Sequence, residues 1–135
     1  MIGLDTNVLV RYMTQDDAKQ AALATRLIEE KLTVAEQGFI SLVVVAELCW
    51  VLGSLFDATT DELVATMEDL LSTPRFYIEK REVLQAVIGR FKRASSRKEG
   101  FADALIAEVA ASAGCKATMT FDKAAVRAAG MTLLA

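Results

Sequence analysis

Asp5, Glu47, Asp103 and Asp122 each interrupt or directly follow an apolar run. Asp5 closes Met1-Ile2-Gly3-Leu4, and Glu47 is the only charged residue between Leu42 and Leu52. Asp103 lies within Phe101-Ala102-Asp103-Ala104-Leu105-Ile106, and Asp122 follows Thr118-Met119-Thr120-Phe121. A lone anion taken out of water is costly, so such groups are usually protonated, paired or bound to a cation. One shared divalent site would satisfy all four together. Oxygen-only donors favour Mg²⁺ or Mn²⁺, and the matching chemistry is phosphodiester hydrolysis by metal-activated water, without a covalent enzyme intermediate. The spacing leaves open whether one ion or two would bind.

The rest of the composition narrows the choice. The chain has no histidine, which removes Ser-His-Asp and Cys-His nucleophilic sites and His-ligated zinc. Cys49 and Cys115 have neither the number nor the spacing of a zinc site or a disulfide framework, and both read as buried, reduced apolar residues. With a net charge of -3, no global positive field attracts nucleic acid, so RNA binding would need a local patch. Arg90, Lys92, Arg93, Arg97 and Lys98 form one just before Asp103, with Arg93 and Arg97 as the residues expected to guide phosphate. Arg11 is a further candidate substrate contact. A solvated helix end is the competing reading of the basic run, and surface solvation that of Arg11.

Elements that would position these groups follow from periodicity. Short apolar segments alternate with longer stretches of helical period, the pattern of a parallel sheet with crossover helices. Expected strands are Ile2 to Asp5, Gly38 to Ser41, Phe76 to Ile78, Ala117 to Met119 and Met131 to Leu133. Expected helices run from Thr6 to Tyr12; from Asp16-Asp17 to about Lys31 with Ala21, Leu23, Ala24, Leu27 and Ile28 inward; from Ser41 through Glu47; and from a Thr59 capping box to Leu71. Three more are expected over Glu82 to Arg93, Ala102 to Ala113 and Lys123 to Ala128, the last two stopped by Gly114 and Gly130. In parallel sheets, ligands gather beyond the carboxyl ends of the strands. Asp5 and Asp122 fall there directly, and Glu47 and Asp103 can reach the same edge. At 135 residues and 53% hydrophobic, the expectation is one α/β domain over 1–135, three-layered around a short, mainly parallel sheet of about five strands. The start lacks the features of a secretory signal and no segment is long enough to span a bilayer, so a cytoplasmic location is expected, with no membrane association.

The quoted segments also carry a family likeness. Leu4-Asp5-Thr6-Asn7-Val8-Leu9-Val10-Arg11-Tyr12, Ala46-Glu47-Leu48, Ala102-Asp103-Ala104-Leu105-Ile106 and Thr118-Met119-Thr120-Phe121-Asp122 resemble, in order and spacing, the PIN domain and specifically the VapC-like toxins. That resemblance implies a Mg²⁺- or Mn²⁺-dependent endoribonuclease of a toxin-antitoxin pair, with a cognate antitoxin as partner. By motif match, Asp5, Glu47, Asp103 and Asp122 are the catalytic metal-binding acids, and Thr6, Asn7 and Thr120 support them. Gly100-Phe101 departs from the pattern, since many relatives carry an acidic residue before the aromatic.

Simpler readings compete at each position. Asp5 and Asp122 suit helix N-caps, Asp103 suits first-turn dipole compensation, and Glu47 suits a buried salt bridge. A non-catalytic RNA- or protein-binding module is the alternative from another class. A phosphatase with an aspartyl nucleophile is a third, set back by Asp5-Thr6-Asn7 in place of Asp-x-Asp. The stripe Leu48, Trp50, Val51, Leu52, Leu55 and Phe56 reads mainly as core, with its excess available to a homodimer interface.

Overall fold

The computed structural model describes residues 1–93 and 100–134. Helices and short parallel strands alternate: β1 (Ile2–Gly3), α1 (Thr6–Thr14), α2 (Ala18–Arg26) with a π-helical turn (Leu27–Lys31), β2 (Gly38–Ile40), α3 (Leu42–Leu55), α4 (Thr60–Ser72), β3 (Phe76–Ile78), α5 (Arg81–Arg93), α6 (Phe101–Ser112), β4 (Met119–Thr120), α7 (Lys123–Ala129) and β5 (Thr132–Leu133). The architecture is therefore α/β, with every strand pair parallel.

The expected five-stranded sheet is divided. Among the described residues β1, β2 and β3 form one sheet in that order, while β4 and β5 form a second, two-stranded one. The reason lies in strand length. β1 and β4 each offer two ladder positions, which leaves little backbone for a ladder between them. The first sheet is tight where it does form. A Cβ on Gly38 would stand 2.7 Å from Leu4 Cδ1 and 2.8 Å from Leu32 Cδ1, so any larger residue there would make those two leucine side chains shift.

Local signals set the helix starts. The Ser41 hydroxyl accepts the Val44 N–H at 3.1 Å, starting α3. Thr59 and Glu62 form a reciprocal box at the head of α4, with the Thr59 hydroxyl accepting the Glu62 N–H and the Glu62 carboxylate accepting the Thr59 N–H. Asp17 caps α2 through the Gln20 N–H at 2.9 Å. The stretch to Lys31 is not one α-helix, because its last turn widens so that the Leu32 N–H reaches Leu27 O at 2.9 Å. Arg75 compensates by donating to the Ile28 and Glu29 carbonyls at 3.2 and 3.0 Å, which satisfies backbone groups a wide turn leaves loose. Leu23, expected inward, is exposed; Ala21, Ala24 and Ile28 carry the buried face.

One connected apolar core runs from Leu4 to Met131, with Leu9, Ile40, Val45, Leu48, Met67 and Leu84 almost wholly removed from solvent. Burying each large aliphatic side chain contributes about 2 kcal/mol. In this core α3 packs against α1, α4 and α6, and α6 against α5 and α7. Thus α3 bridges the helix that follows β1 and the helix that bears Asp103. Cys49 is buried as expected, but Cys115 is exposed just past the end of α6, where no packed element covers it.

Candidate active site

Asp5 ends the β1 connection and caps α1, its carboxylate accepting the Thr6 N–H at 2.8 Å. Asp122 does the same for α7, accepting the Ala124 N–H at 2.8 Å, while its own N–H donates to the Thr120 hydroxyl at 3.0 Å. Both capping roles read from the sequence are present, and each bond engages one carboxylate oxygen. Asp103 sits in the first turn of α6, where its charge complements the helix dipole. Glu47 lies in the second turn of α3, exposed and, among the described residues, without an ion-pair partner. The buried salt bridge weighed for Glu47 is therefore not its role.

The acids are less buried than the apolar runs around them suggest. Asp5, Glu47 and Asp122 are exposed and Asp103 is half-buried. They follow or flank apolar strands and helices but occupy the ends and outer faces of these elements. Burial in the neighbourhood falls instead on Thr6, which is 3% exposed and whose hydroxyl has no hydrogen-bond partner among the described residues. An unmet buried hydroxyl costs on the order of 1–3 kcal/mol, so Thr6 is an energetically costly residue to keep beside Asp5. Asn7 is exposed on the first turn of α1.

A groove of about 990 Å³ gathers part of this set. Asp103 and Asp122 line it together with Trp50 and Ser54 of α3, Thr60 of α4 and Arg127 of α7. Asp5 and Glu47 lie outside its lining; they follow β1 and β2, parallel neighbours in the same sheet. Asp103 and Asp122 thus share the groove, while Asp5 caps α1 and Glu47 lies on α3, the helix that packs against both α1 and α6. All four offer oxygen donors suited to a hard divalent cation. Among the described residues, however, no three approach as a ready-made metal-holding group.

Gly100 controls how closely the groove's two acidic helices approach. Its φ is +126°, and a Cβ there would stand 2.9 Å from Ala128 Cβ of α7 and 3.8 Å from Asp103 Oδ2. The departure from the family pattern at Gly100-Phe101 is therefore steric as well as electrostatic, because it lets α7 pass directly beside the start of α6.

The basic candidates have separate placements. Arg11 is held at the surface by neighbouring side chains, with Nη1 donating to both Asp16 oxygens at 3.0 Å and Nε to Gln20 at 2.7 Å, so it ties α1 to α2. Asp16 is held below the usual carboxylate range by the Thr14 hydroxyl, helped by Arg11. Arg93 is exposed on the last turn of α5, its guanidinium over Gly89. Arg97 lies outside the described residues. Arg127, unremarked in the sequence, is the cation that the described structure places in the groove. Helical position on α7 was its only signal.

Glu79 was also missed. It follows β3 and accepts the Leu42 N–H at 2.9 Å, adding a carboxylate to the free N–H groups that begin α3. Glu79 therefore helps orient the helix that carries Glu47. Its sequence signal was its place one residue beyond a strand.

A family model described as the PIN domain matches residues 2–131. No curated protein matches the chain. Among the described residues, no helix is long and apolar enough to cross a membrane.

Proposed function

Since the chain belongs to the PIN domain family, we propose that it is a Mg²⁺- or Mn²⁺-dependent endoribonuclease, the toxin of a toxin-antitoxin pair. The observation that carries the reading is the groove in which Asp103 and Asp122 lie with Arg127, walled in part by α3, the helix that also bears Glu47 and packs against the helix capped by Asp5. Asp5, Glu47, Asp103 and Asp122 would hold the divalent ion, which when bound supplies an activated water and neutralises phosphate charge. The protein's own groups do the remaining work. Arg127 pairs with a substrate phosphate in the groove, while the N-terminal N–H bonds of Asp5 and Asp122 fix those carboxylates in direction. Arg93 adds a positive charge along the approach.

A cognate antitoxin that covers the groove completes the proposal. A homodimer is the proposed assembly, covering apolar residues that α3 and α6 leave exposed, notably Leu55, Phe56 and Ile106. The proposed location is the cytoplasm.

One observation favours a second reading, a non-catalytic RNA- or protein-binding module: the absence of a ready-made three-carboxylate group among the described residues. Cleavage of labelled total RNA with Mg²⁺, Mn²⁺ or chelator decides between them, run beside Asp5→Asn and Glu47→Gln. Discrete metal-dependent cuts lost in both variants are expected. Retained cutting by the variants, or RNA binding without any cutting, would reject the nuclease.

A further inference from the structure

Trp50 is an unusual residue for the wall of an acidic groove. It is 62% exposed, although α3 otherwise turns Val45, Leu48, Cys49 and Leu52 into the core. Along the exposed face of α3, Val43, Glu47, Trp50 and Ser54 follow one another at helical spacing. Glu47 has no ion-pair partner among the described residues and divides this face, so covering the whole strip with an apolar partner would strand a buried charge. A small uncharged aromatic group can cover Trp50 while leaving Glu47 uncovered. The same groove supplies the Ser54 and Thr60 hydroxyls and the Arg127 guanidinium. An indole for stacking, hydroxyls for base edges and a cation for phosphate are the groups with which proteins hold unpaired nucleotides.

We propose that Trp50 is the base-stacking residue for a single-stranded RNA substrate, holding one unpaired nucleobase in the groove while Arg127 takes an adjoining phosphate. The assignment rests on the ribonuclease reading and deepens it: the substrate strand must be unpaired at this point, because a base inside a duplex cannot present its face to the indole. Stacking tolerates any base, so Trp50 selects for strandedness more than for sequence.

The chain has one tryptophan, so intrinsic fluorescence reads this residue alone. The probe is a random-sequence, single-stranded 2′-O-methyl phosphorothioate oligonucleotide, which resists cleavage, added to the full-length protein with Mg²⁺. Its end-labelled form reports binding by anisotropy, and its unlabelled form reports quenching. Quenching with the anisotropy midpoint is expected, and an abasic strand of the same length should bind without quenching. Trp50→Ala should weaken binding roughly 5- to 150-fold, the range for loss of one base-aromatic stack. Trp50→Phe should recover most of that loss, and Leu23→Ala, at a comparably exposed apolar residue on α2, should leave binding unchanged.

Binding without quenching, or undiminished binding by Trp50→Ala, overturns the assignment. If RNA cleavage persists in either case, the nuclease reading survives alone. Absence of both binding and cleavage rejects the two together. An emission shift that follows protein concentration without oligonucleotide would place Trp50 against a second copy of the chain and also overturns the proposal.

Discussion

Replacing Asp122 separates its structural role from its chemical one. Its carboxylate accepts the Ala124 N–H at 2.8 Å and caps α7. Asparagine caps about as well as aspartate, whereas alanine leaves that N–H without its partner at a cost of about 1 kcal/mol. Both substitutions remove a negative charge beside the first turn, which adds about 0.3–1 kcal/mol to each. Asp122 is exposed, so desolvation adds nothing further. Asp122→Asn should therefore cost about 0.5 kcal/mol and Asp122→Ala about 1.5 kcal/mol, which for a domain of this size separates their midpoints by about 3–5 °C. Thermal unfolding followed by circular dichroism measures that gap.

RNA cleavage should not follow the same order. If the carboxylate acts in hydrolysis, both variants lose at least about 100-fold, more than the change of a merely supporting residue costs. Cleavage by Asp122→Asn at the wild-type rate would refute the chemical role and leave the cap. Equal melting temperatures for the two variants would refute the capping argument.

Three further outcomes are expected. Glu79→Ala removes the acceptor of the Leu42 N–H and should destabilise the protein by about 1 kcal/mol, read as a lower urea midpoint with unchanged slope. Glu62 is held below the usual carboxylate range first by the backbone N–H of Thr59 and then by its side chain. A carboxyl depressed in the folded state stabilises above its unfolded pKa and loses that contribution as pH falls through the folded value, so the melting-temperature gap between wild type and Glu62→Gln should be widest near pH 7 and narrow as the carboxylate is protonated in acid. Burial pushes the Cys49 thiol up to about 12, so a thiol reagent at pH 8 should label Cys115 in the native protein and both cysteines only after unfolding.

Local chemistry was the most readable part of the sequence. Ser41, Thr59 with Glu62, and Asp17 all cap the helices expected of them, because a cap depends on a few adjacent residues. Side-chain burial was harder to read. Leu23 and Trp50 sit in apolar helical stretches yet face solvent, since periodicity gives a face and not the boundary of the element packed against it. The same limit made the four acids look buried. Division of the sheet was not legible either, because strand pairing between distant segments leaves no local signal when the strands are only two or three residues long. Arg127 and Glu79 matter through contacts with other elements, and no motif announced them.

The accuracy of the groove depends on a residue with no functional group. At position 100 any other amino acid would need a disfavoured φ and would push against Ala128, shifting α7 and Asp122 away from Asp103. Hydrogen atoms here act as a shim, and its thickness sets the spacing between two acids borne on different helices. In a mutational scan, Gly100 should therefore group with the four carboxylates in its effect on activity, although a search restricted to reactive side chains would pass over it.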